Sequence, residues 1–155
     1  MRTVMPVASL ASAVLLAAVA LAGCVSSASI NVTSAYVPQP TTPGTTVAYL
    51  DIRNNGQADR LVSAQTSVGG TVQLRARVES SSGALVMRAV PDIPIPADSL
   101  VRLNPDSYQL LITGAGPMYD GKDIWLRLTF ANAGTISVLA LVTNPETGGS
   151  SYFLN

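Results

Sequence analysis

The sequence contains no histidine, a single cysteine and a single lysine, and only 12% of its 155 residues are charged. Without histidine the chain has no Ser-His-Asp triad, no imidazole acid or base and no imidazole zinc motif. A lone cysteine excludes internal disulfides, Cys-x-x-Cys redox pairs and thiolate metal cages. Nine basic residues balance nine acidic ones, so the composition offers no cationic surface for nucleic acid. We therefore expect neither an enzyme nor a nucleic-acid partner.

The N-terminal segment has the parts of a secretory signal. Arg2 is positively charged, residues 4–22 are mostly apolar or small, and the segment ends in Leu-Ala-Gly before Cys24. Leu-Ala-Gly-Cys in this place resembles the bacterial lipobox, in which signal peptidase II cuts before a cysteine that carries lipid. The resemblance implies a lipoprotein, with palmitate-type acylation at Cys24, on the extracytoplasmic face of the cell membrane. An uncleaved transmembrane anchor or ordinary secretion is the alternative.

Cleavage before Cys24 would divide the chain into four parts. The signal peptide comprises residues 1–23 and the lipidated tether residues 24–29. Residues 144–155 have the composition of a flexible C-terminal tail. The stretch between, residues 30–143, is long enough for one domain with its own core. The mature chain would hold eight basic and nine acidic residues, a net charge of −1, and would contact the lipid bilayer through Cys24.

Apolar residues in the body of the chain recur with a period of two. In Thr71–Glu79 and Asp123–Phe130 every second residue is apolar, as in strands with one buried face. Thr135–Val142 follows the second segment after a short connection containing glycine, which is typical of a hairpin. No apolar stripe at helical spacing lasts for three turns.

Weaker strand candidates lie between clusters of Gly, Pro, Asn and Ser. They are Ile30–Val37, Thr46–Arg53, Leu61–Thr66, Ala84–Val90, Ser99–Leu103 and Tyr108–Thr113. Pro91, Pro94 and Pro96 restrict their segment to a loop or an edge strand, because proline cannot donate to a central ladder. The sequence therefore predicts an all-β fold, an antiparallel sandwich or barrel of about seven to nine short strands.

Most carboxylates have a structural interpretation, because they lie in or beside predicted turns, where Asp bonds its own backbone. These residues are Asp51, Asp59, Asp92, Asp98, Asp106, Asp120 and Asp123. No pair has the spacing of a glycosidase couple, and no helix follows the glycine-rich turns as a phosphate loop requires.

Arg75 and Arg77 share the outward face of one strand with Glu79. We expect a solvated face with local Arg–Glu pairing there, and a small cationic patch for an acidic partner is the alternative.

Short blocks spread over residues 46–142 are similar, in order and spacing, to the periplasmic copper chaperone family known as PCuAC. They are Ala48-Tyr49-Leu50-Asp51-Ile52-Arg53-Asn54, Ala58-Asp59-Arg60-Leu61, Val72-Gln73-Leu74, Met87-Arg88-Ala89-Val90, Ile93-Pro94-Ile95-Pro96-Ala97, Leu103-Asn104-Pro105, Tyr108-Gln109-Leu110-Leu111 and Leu126-Arg127-Leu128-Thr129-Phe130. The resemblance implies a cupredoxin-like, Ig-like β-sandwich, which agrees with the strand pattern.

Members of that family bind Cu(I) through a His, a Met and a later His-x-Met, because thioethers and imidazole suit a soft cation. Met87 stands at the first Met position, in an apolar strand where core packing would also account for it. Gln109 and Leu111 stand in place of the His-x-Met pair, and Arg75 or Ala76 stands at the first His position. Arginine cannot ligate a metal, and leucine has no donor atom.

Two functions follow from this resemblance. The first is a membrane-anchored binding or assembly module of the cell envelope, with a protein partner and without a bound cofactor. The second is a copper(I) chaperone or copper-homeostasis protein whose atypical site uses Met87 and borrows ligands from Met118 or from a partner.

Overall fold

The computed structural model describes residues 28–144 and residue 146, and the statements below concern these residues. The signal peptide, Cys24, most of the tether and most of the C-terminal tail lie outside them. The described part consists of strands and contains no helix, so it holds none that could cross a membrane. The strands are β1 (Ile30–Pro38), β2 (Thr45–Asn54), β3 (Asp59–Thr66), β4 (Thr71–Glu79), β5 (Leu85–Ala89), β6 (Ile93–Ile95), β7 (Ser99–Leu103), β8 (Tyr108–Thr113), β9 (Asp123–Phe130) and β10 (Gly134–Thr143).

The ten strands form one curled sheet in the order β5-β4-β8-β7-β2-β1-β10-β9-β3-β6, with a further pairing of β8 to β2. All pairs are antiparallel except β1 with β10 and β7 with β8. β1 joins the two halves of the sheet, because its first part pairs with β2 and its last residues pair with β10. The register shifts between Thr33 and Tyr36, where Ser34 has a φ of 53°, as in a β-bulge that bends a strand.

The predicted all-β sandwich is confirmed, with ten strands instead of seven to nine. The short strand β6 contributes to the difference. It pairs with β3 at the edge of the sheet, where Pro94 is exposed between the buried Ile93 and Ile95. An edge position tolerates Pro94 because no further strand needs its missing N–H.

The core lies between the two halves of the sheet and is built from alternate residues. β2 buries Ala48, Leu50 and Ile52, and β9 buries Ile124, Leu126, Leu128 and Phe130. Asp123, Trp125 and Arg127 on β9 point outward and are exposed, as the alternation predicts. Full burial of a Leu or Ile side chain contributes about 1.5–3 kcal/mol, so this face fixes the register of each strand.

Asp59 is a buried carboxylate that fastens the β9–β10 connection to the start of β3. It is 4% exposed, its Oδ1 accepts hydrogen bonds from the backbone N–H of Arg60 (2.7 Å) and Asn132 (2.9 Å), and its Oδ2 accepts one from Ala133 (2.8 Å). Its role is therefore larger than the local turn bond expected from the sequence. Asp51, expected in or beside a turn, lies inside β2 instead.

Candidate functional site

The residues predicted to stand at the family's ligand positions lie on three adjacent strands. Arg75 on β4 is directly opposite Gln109 on β8, and Arg77 is directly opposite Met87 on β5. Directly opposed residues share a face, and so do residues two apart on one strand. Arg75, Met87, Gln109 and Leu111 therefore lie on one face of β5-β4-β8, and we name this set the ligand-position face.

The two candidates for the first His position are separated by the pleat of β4. Arg75 belongs to the ligand-position face, whereas Ala76 points to the opposite side and is buried. The side of β4 that carries Ala76 faces the core, because Leu74, two residues before Ala76, is part of the core cluster. Arg75 is thus the residue that stands beside Gln109.

The guanidinium of Arg75 is held by one hydrogen bond, while one of its other nitrogens has no hydrogen-bond partner. Its Nη2 donates a hydrogen bond to the backbone oxygen of Met87 at 2.5 Å, and its Nε is buried with no hydrogen-bond partner. Gln109 beside it is only 9% exposed. A fixed positive charge about 4 Å from a bound monovalent cation would repel it by about 1–4 kcal/mol, depending on solvent screening. Arg75 therefore disfavours Cu(I) at this place, in addition to lacking a ligand atom.

Met87 differs from its sequence-based interpretation as a core residue. It is half-buried on β5 and belongs neither to the core cluster nor to the residues packed against that cluster. Met118, by contrast, is buried inside the core. Among the described residues no group of three or more Cys, Asp or Glu side chains is placed to hold a metal ion.

The arginine face also differs from the expected Arg–Glu pairing. Arg77 forms its ion pair and hydrogen bond with Asp106, in the turn between β7 and β8, and not with Glu79. The backbone N–H of Arg77 donates to the oxygen of Ser107 in the same turn at 2.7 Å. The turn therefore borders the ligand-position face, and Arg75 remains without a carboxylate partner in the described part of the chain.

Two tyrosines lie on β1 and β2 at the junction between the halves of the sheet. Tyr36 and Tyr49 are directly opposed, with ring centroids 5.3 Å apart and planes tilted by 45°. Burial, and then the negative charge of Asp51, raise the pKa of Tyr36 above its usual 10.0. Burial, and then Tyr36, raise the pKa of Tyr49 in the same direction. Ionisation of either phenol therefore requires a higher pH than usual, because both pKa values are raised.

Comparison with known proteins identifies the family. The family model of LpqE-like lipoproteins matches residues 30–142, which is nearly the whole sandwich. The chain belongs to the LpqE-like lipoprotein family. Membership in a lipoprotein family supports an envelope lipoprotein, although Cys24 itself lies outside the matched residues. A search among curated proteins finds no significant match.

Solved structures similar to this LpqE-like chain include PCuAC domains. The copper-bound PCuAC domain from PmoF2 is 18% identical with a TM-score of 0.63, covering 75% of this chain and 93% of that domain. The solution structure of Cu(I)-DR1885 from Deinococcus radiodurans is 25% identical with a TM-score of 0.59, covering 79% of this chain and 83% of that protein. The predicted PCuAC-like fold is therefore confirmed.

The sequence predicted β9 as a strand but predicted no functional site on its outward face. Trp125 is 51% exposed there and lines a cavity with residues of β3 and β10. The sequence does contain an indication of this site, because a tryptophan at an outward position of an alternating strand leaves a large apolar side chain in solvent.

Proposed function

We propose that this LpqE-like protein is a non-catalytic, membrane-anchored lipoprotein whose PCuAC-like domain binds another protein of the cell envelope and is not a typical Cu(I) carrier. The observation that carries the proposal is Arg75 on the ligand-position face. A permanent cation with a buried, unpaired Nε stands where the family places a metal ligand. The positive charge of Arg75 disfavours a metal cation and attracts an acceptor oxygen of a partner.

The other positions support the same conclusion. Leu111 offers no donor atom, and the amide oxygen of Gln109 is a hard ligand for a soft ion. Met87 alone supplies a thioether on this face. One soft ligand falls well short of the His₂Met₂ set that the resemblance implies for Cu(I).

Lipid attachment at Cys24 would keep the domain close to the bilayer. A lipobox cysteine carries a diacylglyceryl group, and two or more acyl chains anchor a protein stably. The six residues from Cys24 to Ser29 span at most about 20 Å. We expect Cys24→Ala to release the protein from membranes or to leave it unprocessed, as measured by fractionation and mass spectrometry. Membrane retention of a cleaved Cys24→Ala product would contradict the anchor.

A Cu(I) titration tests the non-carrier proposal. The full-length chain, purified in detergent, competes with a Cu(I) chelator, next to Met87→Leu as its control. We expect neither protein to withdraw copper from the chelator. Stoichiometric binding by the wild type that Met87→Leu abolishes would contradict the proposal and restore a copper-carrier function.

A site-specific crosslinker tests whether the ligand-position face contacts a partner. A photoreactive residue replaces Leu111 in one variant and Ser63, exposed on β3 in the other half of the sheet, in the control. We expect a discrete adduct with one envelope protein from position 111 and not from position 63. Equal labelling at both positions would argue against a partner on this face.

Copper handling with a partner-shared site is the second candidate, and the half-buried position of Met87, outside the core, favours it. The copper-bound state of one structural neighbour is consistent with it. It predicts Cu(I) capture only when the partner is present, and growth sensitivity to copper in a deletion strain.

A further inference from the structure

A cavity of about 550 Å³ lies on the outward face of the other half of the sheet, where β3, β9 and β10 run side by side. Its size falls within the range of small-molecule sites. It is lined by Gln65, Thr66, Ser67, Trp125, Arg127 and Ser137. None of these residues belongs to the ligand-position face, so this cavity is independent of the function proposed above.

The strand register arranges the lining residues in two rows. Gln65 on β3, Arg127 on β9 and Ser137 on β10 are neighbours across three strands. In the next row Trp125 is directly opposite Leu139. Trp125 is 51% exposed and Leu139 47% exposed. An aromatic platform thus lies next to a line of hydrogen-bonding groups.

The rim of the cavity is held by one backbone hydrogen bond and two hydrogen bonds between a side-chain hydroxyl and the backbone. The N–H of Ser67 donates to the oxygen of Trp125 at 3.0 Å, and the hydroxyl oxygen of Ser67 accepts from the N–H of Trp125 at 3.0 Å. The hydroxyl of Thr66 donates to the oxygen of Gly69 at 2.9 Å. These bonds fix the end of β3 against the backbone of Trp125, which carries the indole of the cavity.

We propose that this cavity binds a pyranose sugar unit of a glycan. One side of a pyranose ring presents C–H groups and can stack on the indole face, while its edge presents hydroxyls. The amide of Gln65, the guanidinium of Arg127 and the hydroxyl of Ser137 can donate to and accept from those hydroxyls. Arg127 makes no ion pair within the described residues, so its donors are available to the ligand.

The lining argues against other classes of ligand. It contains no carboxylate, so it offers no site for a metal cation. Trp125 is the single apolar side chain in its lining, with Leu139 beside it on β10, and this area is small compared with a protein interface of about 800 Å² on each partner. Membrane-inserting surfaces present apolar side chains over a broad face, whereas Trp125 lines a concave site with polar neighbours. Single-stranded nucleic acid also stacks on tryptophan but requires a cationic groove, and Arg127 is the single cation in the lining.

The chain contains one tryptophan, so its fluorescence reports on this cavity alone. The full-length protein, in a detergent without sugar head groups, is titrated with maltohexaose, mannohexaose, cellohexaose and a galacturonate oligosaccharide, and binding is confirmed by calorimetry. We expect a saturable change in Trp125 emission with at least one of these sugars. No change and no heat with any of them up to about 10 mM, ten times a Kd of about 1 mM, would overturn the proposal.

Variants separate the cavity from non-specific binding. Arg127→Ala and Gln65→Ala keep the fluorophore, and each is expected to weaken binding by about threefold to tenfold through loss of a hydrogen bond. Trp125→Ala, followed by calorimetry, is expected to lose binding by about tenfold or more, and Trp125→Phe by less. All four substitute outward-facing residues, and an unchanged urea midpoint verifies that each variant folds.

Tyr119→Ala is the matched control, because Tyr119 is an exposed aromatic (63%) that does not line the cavity. It is expected to bind the sugar as the wild type does. Equal loss in Tyr119→Ala, or unchanged affinity in Arg127→Ala, Gln65→Ala and Trp125→Ala, would overturn the proposal. So would an emission change produced by phosphatidylglycerol micelles or oligo-dT in place of the sugars.

Discussion

Asp59 allows a sharp test of what holds the sandwich closed. Its carboxylate accepts three backbone hydrogen bonds, from Arg60, Asn132 and Ala133, and its side chain is almost fully buried. Two of these donors lie in the connection between β9 and β10, distant from Asp59 in sequence. Replacing Asp59 by Ala removes the common acceptor of all three N–H groups.

The expected magnitude follows from the geometry. A hydrogen bond to a charged group contributes about 1.5–3 kcal/mol, and an unsatisfied buried donor costs about 1–3 kcal/mol. Since Arg60 and Asn132 are exposed residues, water can partly replace the carboxylate at their N–H groups. We therefore expect Asp59→Ala to lower the free energy of unfolding by about 3–5 kcal/mol. Asp59→Asn keeps the Oδ1 acceptor but places an NH₂ group against Ala133, so its loss is about 2 kcal/mol.

The assay is urea unfolding followed by Trp125 fluorescence, with Asp92→Ala as the control. Asp92 also contacts Arg60, at 3.0 Å, but in a largely exposed ion pair that contributes about 0–1 kcal/mol. If Asp59→Ala were no more destabilising than Asp92→Ala, the assignment of Asp59 as the fastening residue would be refuted.

Two further predictions concern ionisation and copper. Since the pKa values of Tyr36 and Tyr49 are raised in the folded state, their stabilising contribution is complete below pH 10.0 and is lost as pH rises through the raised values. Thermal melts across that range, with phenolate absorbance, should show this loss, and Tyr36→Phe should reduce it. The triple variant Arg75→His, Gln109→His and Leu111→Met should gain one equivalent of Cu(I) binding in a chelator competition, because these positions already share a face with Met87. Adding Met87→Leu should weaken that gain, and a triple variant that folds without binding Cu(I) would contradict the assigned register.

Local patterns predicted the strands more accurately than their pairing. The bounds of Thr71–Glu79 and Asp123–Phe130 agree with the structure, because alternation is written into each segment. The parallel pairing of β1 with β10 begins after the register shift in β1 and joins distant parts of the chain, so no local signal predicts it. The hydrogen-bond partners of Asp59 and the cavity at Trp125 also join distant parts of the chain, so the local sequence did not predict them.

The candidate site was predicted in part for a related reason. Spacing along the chain left the first His position open between Arg75 and Ala76, whereas the pairing of β4 with β8 places Arg75, and not Ala76, directly opposite Gln109. Spacing gives the number of residues along the chain but not the face of the strand on which a residue lies. A difference of one residue moves a side chain to the other face. The predicted pairing of Arg77 with a neighbouring glutamate was wrong, because Arg77 pairs with Asp106 from a turn that is distant in sequence.

The pleat also explains how a PCuAC-like sandwich can carry a different ligand-position face. On β8 the core takes Leu110 and Ile112, while Gln109 and Leu111 face the other way. The register is fixed by the core side. The side of β8 that faces away from the core is less constrained by the fold, although Gln109 is itself buried, and this face can acquire a new binding role.

Arg75 itself is not neutral for stability. A buried guanidinium nitrogen without an acceptor costs about 1–3 kcal/mol. We expect Arg75→Met, which keeps most of the aliphatic stem and removes that nitrogen, to raise the thermal midpoint of the isolated protein while abolishing the adduct formed from position 111. Arg75→Lys is the control, since it keeps the charge but not the Nε donor. If Arg75→Met were less stable than the wild type, the bond from Nη2 to the Met87 oxygen would outweigh the unpaired Nε. The case that Arg75 is retained for a partner would then fail.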